Sequence, residues 1–514
     1  MASPQTPELL ACLLVVVGTL LLLKQLLAPS KRRSASASPS IPRPRGLPLI
    51  GNLHQLGALP HDSLAALAAK HDAPLMLLRL GSVPTLVVSS ADAARAAFQH
   101  NDRVMSGRPA LYAAARFSYG LQNISFAPSE GAFWRAARRA CLSELLGAPR
   151  VRGFREAREG EAAALVAAVA EADASGAGAA VDLSELLLAA SNKIVRRVAF
   201  GGDDGGEGGA EASAVLKETQ RLLGAFWVAD YVPWLGWLDA PRGLRGRLER
   251  NFHQLDAFYE SVIDSHLKRR ASSSADEEED LVDVLLRLHA DPAHRSTFSS
   301  RDQIKGILTD MFIAGTDTSA ATVEWTMTEL VNHPDILAKA QHEVRRVVGD
   351  SDMVREPDLP GLSYLKLVIK ESMRLHPPVP LLVPRETTEP CTVHGCEIPA
   401  GTRVLVNAKA IGAHAGAWGA DVAQFVPERH EHGGDLGDFR PWHDNFSLVP
   451  FGIGRRSCPG MHFATAVVEV VLANLLFSFD WSAPLGKVDA EEENGLTVYR
   501  KNPLMLFAKP RRCV

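Results

Sequence analysis

Cysteine is scarce in this chain, with six residues in 514. That number excludes a disulfide-stapled scaffold and fits a reducing compartment, and Cys391 with Cys396 finds no second pair that would complete a structural zinc site. A strong charge of one sign is also missing, because 55 basic and 59 acidic residues leave a net charge of −4. This balance gives no indication of a nucleic-acid partner.

Two catalytic patterns are missing as well. The chain has neither the GxGxxG fingerprint of dinucleotide-binding folds nor the GxSxG motif of α/β-hydrolases. A hydrolase of that kind is therefore unsupported. Any redox chemistry would need electrons from a separate protein, because the chain carries no recognisable nicotinamide site of its own.

The chain does contain enough apolar sequence for a large core, at 46% hydrophobic and 22% charged residues. Its periodicity is mainly helical, and short β-branched runs at 85–88 and 402–406 predict strands. The longest helix is predicted over 301–332, where Ser300 and Gln303 form a capping box before it. Three further helices are predicted at 338–348, 365–375 and 461–477.

The N-terminal end predicts a membrane anchor. Leu9 to Leu23 contains no charged residue, and nineteen helical residues span about 28 Å, close to the roughly 30 Å of a bilayer core. The basic cluster follows this run, which places the rest of the chain on the cytoplasmic side and disfavours the alternative of a cleaved signal peptide. We expect an anchor at 1–29, a basic, proline-rich hinge or disordered tether at 30–48, and one catalytic domain at 49–514.

One cysteine stands in an unusual setting. Cys458 lies in Pro450–Gly460, where glycines permit a tight turn, and a predicted helix follows. A helix N-terminus and nearby arginines favour a thiolate, which can serve as a nucleophile or as an axial metal ligand. An isolated cysteine can also be simply a small buried apolar residue.

The surroundings of this cysteine resemble a known motif. Its pattern FxxGxRxCxG is similar to the heme-ligand signature of the cytochrome P450 monooxygenases, and every fixed position is present: Phe451, Gly454, Arg456, Cys458 and Gly460. The PFGxGRRxCPG form, the anchor and the proline-rich hinge resemble the plant A-type (seventy-one clan) microsomal members. The resemblance implies a mainly α fold, a helical triangular prism with small β-sheets, behind a single N-terminal transmembrane helix. It also implies heme b (iron-protoporphyrin IX), with Cys458 as the ligand of its iron.

The long predicted helix carries a second motif. Ala314-Gly315-Thr316-Asp317-Thr318 resembles the oxygen-activating segment of the family, where Ala314 and Gly315 lie against the heme. A glycine at the centre of a helix costs about 1 kcal/mol, so Gly315 needs a reason such as a ligand pressed on the backbone. Asp317 and Thr318 are an acid and an alcohol that could relay protons, and the threonine can hydrogen-bond back to a preceding carbonyl. Without the cysteine motif, the segment reads as a polar stripe on a buried helix.

A third motif is structural. Glu371 and Arg374 resemble the ExxR pair of the family, which forms a buried brace with the arginine of a PER motif, here Arg429. Members of the family commonly have Phe after PER, whereas this chain has His430. Gly412-Ala413-His414 likewise stands where related sequences often carry Arg-Asp.

The resemblance also assigns residues to the heme edge and to the substrate. Trp134 and Arg138 match WxxxR and, with Arg385 and Arg456, are expected to meet the heme propionates, because guanidinium–carboxylate pairing is strong and bidentate. His376 is expected to be structural. The substrate pocket is expected to draw on seven mostly apolar residues: Phe226, Trp227, Ile313, Val379, Leu382, Val383 and Val498.

These assignments together predict an enzyme. Thiolate ligation favours O–O cleavage over oxygen storage, so we expect O2- and NADPH-dependent hydroxylation of a small lipophilic or aromatic plant metabolite of indole, aromatic amine, oxime or terpenoid type. The expected electron donor is NADPH-cytochrome P450 reductase, and the expected location is the endoplasmic reticulum membrane, with the catalytic domain facing the cytosol. An oxygen-independent isomerase or dehydratase and a non-catalytic heme-binding protein remain as alternatives.

Overall fold

The computed structural model describes residues 41–175, 180–201, 209–272, 279–294, 297–431, 439 and 446–511. The helices among these residues, numbered in chain order, are α1 (Pro60–Lys70), α2 (Ala91–Phe98), α3 (Tyr112–Phe117), α4 (Ala132–Ala140), α5 (Ala148–Gly153), α6 (Arg155–Ser175), α7 (Leu183–Phe200), α8 (Gly209–Gly224), α9 (Leu244–Ser272), α10 (Leu281–Ala290), α11 (Arg301–Asn332), α12 (Pro334–Val348), α13 (Ser363–Leu375), α14 (Ala408–Gly412), α15 (Ala415–Trp418) and α16 (Met461–Ser478). A π-helical turn, Cys141–Leu145, continues α4.

The strands in the described part of the chain are short and form four small sheets. They are β1 (Leu75–Leu80), β2 (Val83–Val88), β3 (Val181–Asp182), β4 (Arg385–Glu386), β5 (Cys391–Val393), β6 (Cys396–Ile398), β7 (Arg403–Val406), β8 (Phe479–Ser482), β9 (Glu492–Glu493), β10 (Tyr499–Arg500) and β11 (Met505–Pro510). The largest sheet has the order β1-β2-β7-β4, and within it β2 and β7 are parallel, with Val88 paired to Val406. The other sheets have the orders β3-β11-β8, β5-β6 and β9-β10.

Helix α11 organises the helical part of the molecule. It packs against α7, α13 and α16, and most of its length is buried. Four of its buried threonines satisfy their hydroxyls within the helix by donating to the carbonyl oxygen four residues earlier: Thr309, Thr322, Thr326 and Thr328. This back-bonding removes the cost of placing an unpaired hydroxyl in the core. A long helix with many threonines can therefore cross the centre of the protein.

The predicted helices are confirmed, with small differences at their ends. Helix α11 has the predicted bounds and the capping box of Ser300 and Gln303. Helix α12 begins at Pro334, four residues before the prediction, because proline fits the first turn of a helix, where its missing N–H has no partner to lose. Helices α13 and α16 extend the predictions by two residues and one residue.

The membrane anchor predicted at 1–29 lies outside the described residues, as does the hinge up to residue 40. Among the residues that the structure describes, one helix is apolar and long enough to cross a membrane. It is Met461–Ser478, with a mean hydropathy of 1.6, and 67% of it is buried inside the protein. Its burial in the core accounts for its apolar sequence.

Candidate functional site

The loop before α16 places the sulfur of Cys458 on the wall of an internal cavity. The Cys458 N–H donates to the Phe451 carbonyl oxygen over 2.8 Å and closes the loop. Gly452 and Gly454 have positive φ angles of 80° and 59°, and a Cβ on Gly454 would lie 2.1 Å from a carboxylate oxygen of Asp102. Glycine suits this position, because other residues seldom adopt that backbone and their side chains would displace the Asp102 carboxylate.

Gly460 serves a different purpose from the loop glycines. Its φ angle is −89°, which any residue adopts, but a Cβ there would lie 3.8 Å from Cys458 Sγ. The absent side chain therefore leaves open the space beside the sulfur.

The Cys458 thiol is not a thiolate by virtue of the protein alone. Burial raises its pKa, and the Gly460 N–H and the Arg138 guanidinium only oppose that effect. The helix N-terminus and Arg138 favour the thiolate as expected, but burial outweighs them. A metal cation deprotonates a thiol that coordinates it, so this sulfur needs a metal to carry its charge.

The cavity lies between α11 and the cysteine loop, and it brings together most of the predicted site residues. Those that line it are Arg138, Ala314, Gly315, Thr318, Val379, Leu382, Val383, Arg385, Phe451, Arg456, Cys458 and Gly460. They come from four separate parts of the chain, so the sequence motifs converge on one space.

A fourth arginine of the cavity wall was missed in the sequence. Arg108 lines the cavity with the other three, and its guanidinium donates to the carbonyl oxygens of Ser125 (2.8 Å), Val383 (2.5 Å) and Pro384 (2.8 Å). It belongs to none of the motifs, and a single arginine before a proline carries no signal of its own.

These arginines lack sufficient negative charge. Burial and the neighbouring guanidiniums lower the pKa of Arg456 to about 9, and burial with Arg138 lowers the pKa of Arg385 to about 10. Burial and the same neighbours hold the pKa of Arg108 well below its usual value. Nη1 of Arg385 has no hydrogen-bond partner, and its nearest carboxylate oxygen, on Asp102, is 3.6 Å away.

A dianion in the cavity would relieve this repulsion, and that requirement fits heme b. Its two propionates are the carboxylates that bidentate guanidiniums prefer. Its iron would meet the one cysteine sulfur on the same wall, and its ring would lie on the apolar surface between them. The residues that are present therefore fit the group that the resemblance implies.

Backbone carbonyls hold the arginines in place. Arg456 donates to Ser106 and Ile124 over 2.9 Å each, and also to Ala127. Arg138 donates to the Ser457 carbonyl oxygen over 2.7 Å, directly before the cysteine.

Trp134 requires a correction. It does not line the cavity, and its indole N–H donates to the Ile124 carbonyl oxygen over 2.9 Å. The guanidinium of Arg456 lies 4.5 Å from its ring centre, and that of Arg138 lies 5.6 Å away. Trp134 thus stabilises two arginines by cation–π contact. Its single hydrogen-bond donor is already used by the Ile124 carbonyl oxygen, so it has none left for a propionate.

The motif on α11 faces the same cavity. Thr318 Oγ1 donates to the Ala314 carbonyl oxygen over 2.7 Å, the back-bond that the sequence predicted. Gly315 lines the cavity, but a Cβ there would also approach Val195 of α7 to 3.1 Å, so helix packing is a second reason for this glycine. Asp317 is not among the lining residues. Burial raises the pKa of its carboxyl to about 6, against the effect of the Tyr499 hydroxyl and Lys217.

A second carboxylate was missed. Asp310, two turns before Asp317 on α11, lines the cavity and accepts bonds from Asn123 Nδ2 (2.8 Å) and from the N–H groups of Ile124 (2.7 Å) and Ser125 (3.1 Å). Burial raises the pKa of its carboxyl to about 6. It fastens to α11 the loop whose carbonyls hold Arg456. The seven residues between Asp310 and Thr318 gave no sign of this contact, because its partners lie far away in the sequence.

The structure brings the ExxR and PER residues together. Glu371 accepts from Arg374 through both oxygens at 2.8 Å and from Arg429 Nε at 2.8 Å. Arg374 also donates to the Gly412 carbonyl oxygen over 2.7 Å. His376 lies nearby with Nε2 2.6 Å from a carboxylate oxygen of Glu329, a structural contact.

Four of the residues expected in the substrate pocket lie elsewhere, which corrects that expectation. Phe226 is 48% exposed and stacks on Tyr231, while Trp227 is buried against Tyr112. Ile313 and Val498 are buried but absent from the cavity wall. The Ile313 carbonyl accepts from Gln220, and the Val498 carbonyl accepts from Trp325. Apolar character did not reveal which side of the backbone faces the cavity.

Val379, Leu382 and Val383 do line the cavity, together with Met311. Leu382 has a φ angle of +52°, a conformation that costs energy for a leucine. Its N–H donates to the Val379 carbonyl oxygen over 3.0 Å, which stabilises the turn. This turn presents three apolar side chains across from α11.

The comparisons with known proteins agree with this geometry. Residues 41–507 match the family described as Cytochrome P450. Cytochrome P450 71A9 of Glycine max is 48% identical over 504 residues, which cover 97% of this chain and 98% of that protein. Strychnine-11-hydroxylase of Strychnos nux-vomica is 44% identical, covering 98% and 97%, and tryptamine 5-hydroxylase of Oryza sativa subsp. japonica is 43% identical, covering 94% and 93%.

A solved structure also shares the fold. A zebra fish cytochrome P450 with progesterone superposes with a TM-score of 0.73 at 24% identity, covering 88% of this chain and all of that chain. At this identity the likeness establishes the fold alone.

Proposed function

The chain belongs to the cytochrome P450 family, and from that premise we propose that it is a membrane-bound, NADPH- and O2-dependent enzyme that hydroxylates a small lipophilic or aromatic plant metabolite. The observation that carries the proposal is the cavity itself, which places one cysteine sulfur and four arginines around an apolar space. Bound there through Cys458, heme b would supply reductive activation of O2, with one oxygen atom entering the substrate and the other leaving as water.

The residues of the chain have separate parts in this chemistry. Arg108, Arg138, Arg385 and Arg456 would hold the propionates, and Cys458 would supply the sulfur that binds the iron. The Thr318 hydroxyl and the Asp317 carboxyl would pass protons from the protein to the part of the cavity beside α11, where O2 would be activated. With its pKa near 6, Asp317 can both take up and release a proton close to neutral pH.

The apolar wall favours a substrate with little charge. Met311, Val379, Leu382 and Val383 would contact it and exclude water from the reacting face. Two relatives are named as hydroxylases of strychnine and tryptamine, which supports substrates of the indole or aromatic amine class. Oximes and terpenoids are the other classes to screen.

We place the enzyme at the endoplasmic reticulum membrane, anchored by residues 1–29 and facing the cytosol. Exposed apolar side chains support this placement: Trp234 and Trp237 are 59% and 60% exposed, and Leu49 is 50% exposed. The turn between β1 and β2 joins the segment of the two tryptophans to the segment of Leu49. In this turn the Ser82 N–H donates to the Tyr231 carbonyl oxygen, and the Gly81 N–H donates to the Ile50 carbonyl oxygen. Tryptophan favours the membrane–water interface. Microsomes that lose the protein in alkaline carbonate would contradict an integral anchor.

Co-expression with a plant NADPH-cytochrome P450 reductase tests the function. We expect a carbon monoxide difference spectrum of thiolate-ligated heme and an NADPH-dependent product that contains oxygen from labelled O2. Cys458→Ala should abolish the spectrum. Turnover without NADPH would instead favour an isomerase or dehydratase, and a normal spectrum without turnover across all four substrate classes would favour a heme-binding protein.

Thr318 provides a sharper test of the proposed proton delivery. Thr318→Ala should reduce product formed per NADPH consumed by roughly an order of magnitude, with peroxide formed instead. Thr326→Ala is the matched control, because Thr326 makes the same back-bond on α11 away from the cavity. Equal coupling in the two variants would remove Thr318 from the proposal.

A further inference from the structure

His430 makes a contact that a phenylalanine could not make. It ends the 3₁₀ turn Pro427–His430 and is 6% exposed. Its Nε2 lies 2.9 Å from Oε2 of Glu371, and its ring meets the ring of Trp418 edge-on, with centres 5.4 Å apart. The family commonly has phenylalanine at this position, which would fill the same space against the tryptophan.

Glu371 depends on several donors because none of its side chain is exposed to solvent. Its Oε1 accepts from Arg374 Nη2 (2.8 Å), Arg429 Nε (2.8 Å) and the Val426 N–H (3.0 Å). Its Oε2 accepts from Arg374 Nε (2.8 Å) and otherwise meets only His430 among the described residues. A buried carboxylate that loses a donor pays the cost of desolvation for that lone pair.

The imidazole acts as a neutral donor at neutral pH. Burial lowers the pKa of His430, and repulsion from Lys370 and Arg374 opposes the attraction of Glu371. An ionised carboxylate can only accept hydrogen bonds, so Nε2 of the neutral ring must carry the hydrogen. His430 is therefore the fifth hydrogen bond on this carboxylate and the second on Oε2.

The hydrogen bonds around Glu371 hold three segments together: helix α13, the turn at 427–430 and the stretch of chain that contains Trp418 and Val422. Glu371 belongs to α13, which packs against α11 and α16, the helix that follows the cysteine loop, and Met373 on α13 lines the cavity. Arg429 also donates to the Trp418 carbonyl oxygen, and Arg374 to the Val422 carbonyl oxygen over 2.8 Å. The turn at 427–430 is thus tied to the helices that carry the heme site.

We propose that His430 is a positioning residue: it completes the hydrogen bonding of Glu371 and thereby sets how firmly the cavity holds heme. The inference rests on the assignment of a heme-thiolate site under the proposed function. It adds a residue that the ExxR and PER motifs do not include.

The test compares His430→Phe with His430→Gln in the full-length, heme-loaded protein. The Phe variant preserves the ring volume without a donor, whereas a glutamine amide can donate near the position of Nε2. His414→Phe is the matched control, because it makes the same change at an exposed histidine of the neighbouring loop. The measurement is the rate at which ferric heme transfers to excess apomyoglobin, together with the carbon monoxide difference spectrum before transfer.

We expect His430→Phe to release heme about ten- to a hundredfold faster than the wild type, the factor that loss of one hydrogen bond to a buried charge predicts. His430→Gln should recover most of that loss, and His414→Phe should match the wild type. Equal rates for His430→Phe and the wild type would overturn the inference, as would a Gln variant no better than Phe. A wild-type protein that binds no heme would instead overturn the proposed function, so the two failures are distinguishable.

Discussion

Two groups of arginines in this molecule differ in how their charge is balanced. Around Glu371, Arg374 and Arg429 meet a carboxylate whose pKa Arg374 and His430 lower to about 2, against the opposing effect of burial. Around the cavity, four arginines repel one another, and the pKa of Arg456 is lowered to about 9. The positive charges of the first group are balanced by a carboxylate of the protein. Those of the second group need a bound anion to balance them.

This difference separates a structural charge cluster from a binding site without any reference to motifs. Both clusters contain arginines that donate to backbone carbonyls, so hydrogen bonding alone does not distinguish them. The direction of the arginine pKa shift does, because Glu371 raises the pKa of Arg429 against the effect of burial, whereas the pKa values of Arg385 and Arg456 in the cavity are lowered. The contrast can be tested by removing a charge from each group.

The largest expected effect is in the brace. Glu371→Gln removes the carboxylate and leaves Arg374 and Arg429 without it, so we expect the free energy of unfolding to fall by about 3–5 kcal/mol. Denaturant unfolding of the protein produced with limited heme measures this loss. A variant as stable as the wild type would show that the brace is not held by its charge balance.

A cavity arginine should behave in the opposite way. Arg385→Met removes one of four like charges, so the heme-free protein should unfold at the same denaturant concentration as the wild type, or at a slightly higher one. Heme affinity should nevertheless fall about ten- to a hundredfold, since one charged hydrogen-bonding group on a propionate is lost. A large loss of stability without heme would place Arg385 with the structural group.

Two glycines sharpen the comparison without changing charge. A Cβ on Gly412 would lie 2.4 Å from the Arg374 carbonyl oxygen, so Gly412→Ala should destabilise the brace by about 1–3 kcal/mol. A Cβ on Gly460 would meet nothing closer than 3.8 Å, so Gly460→Ala should keep its stability but incorporate less heme. Denaturant midpoints and heme content, measured for both variants, would contradict the comparison if they changed in parallel.

Acid should produce the smallest effect, and in the brace His430 is the first group to respond. The folded protein holds the pKa of His430 below its usual 6.5, so the stability that the neutral imidazole contributes is present above that value and is lost as the pH falls below it. The contribution of Glu371 is lost only later, from its usual 4.5 down to about 2. Between about pH 7 and about pH 5.5, the denaturation midpoint should therefore decrease more for the wild type than for His430→Phe. Parallel decreases would exclude His430 as the group responsible.

Local patterns predicted much of this structure. The capping box defined the start of α11, His333-Pro334 defined its end, and the glycines around Cys458 defined a loop before α16. These features depend on residues a few positions apart, so a single sequence contains them. The anchor at 1–29 stays a prediction.

The cavity wall was harder to predict because its contacts join distant segments. Arg108 donates to the Val383 carbonyl oxygen, 275 residues away in the sequence. Asp310 accepts from the Ile124 N–H, 186 residues away. Trp134 was assigned to the propionates with Arg138 through the WxxxR motif, but its indole N–H donates to the Ile124 carbonyl oxygen, ten residues away in the chain. The sequence marked His430 only as a departure from the family. Its hydrogen bond with Glu371 was not predicted, because the two residues are 59 positions apart.

The segment around Ile124 fastens three parts of the molecule with main-chain atoms. Its N–H groups bind Asp310, and its carbonyls bind Trp134 and Arg456. Apart from Asn123, whose side chain also binds Asp310, side chains in this segment can therefore be exchanged during evolution without releasing those main-chain attachments. An enzyme lineage built this way can change the shape of its reaction chamber by ordinary point mutations while the frame around the cofactor stays constant.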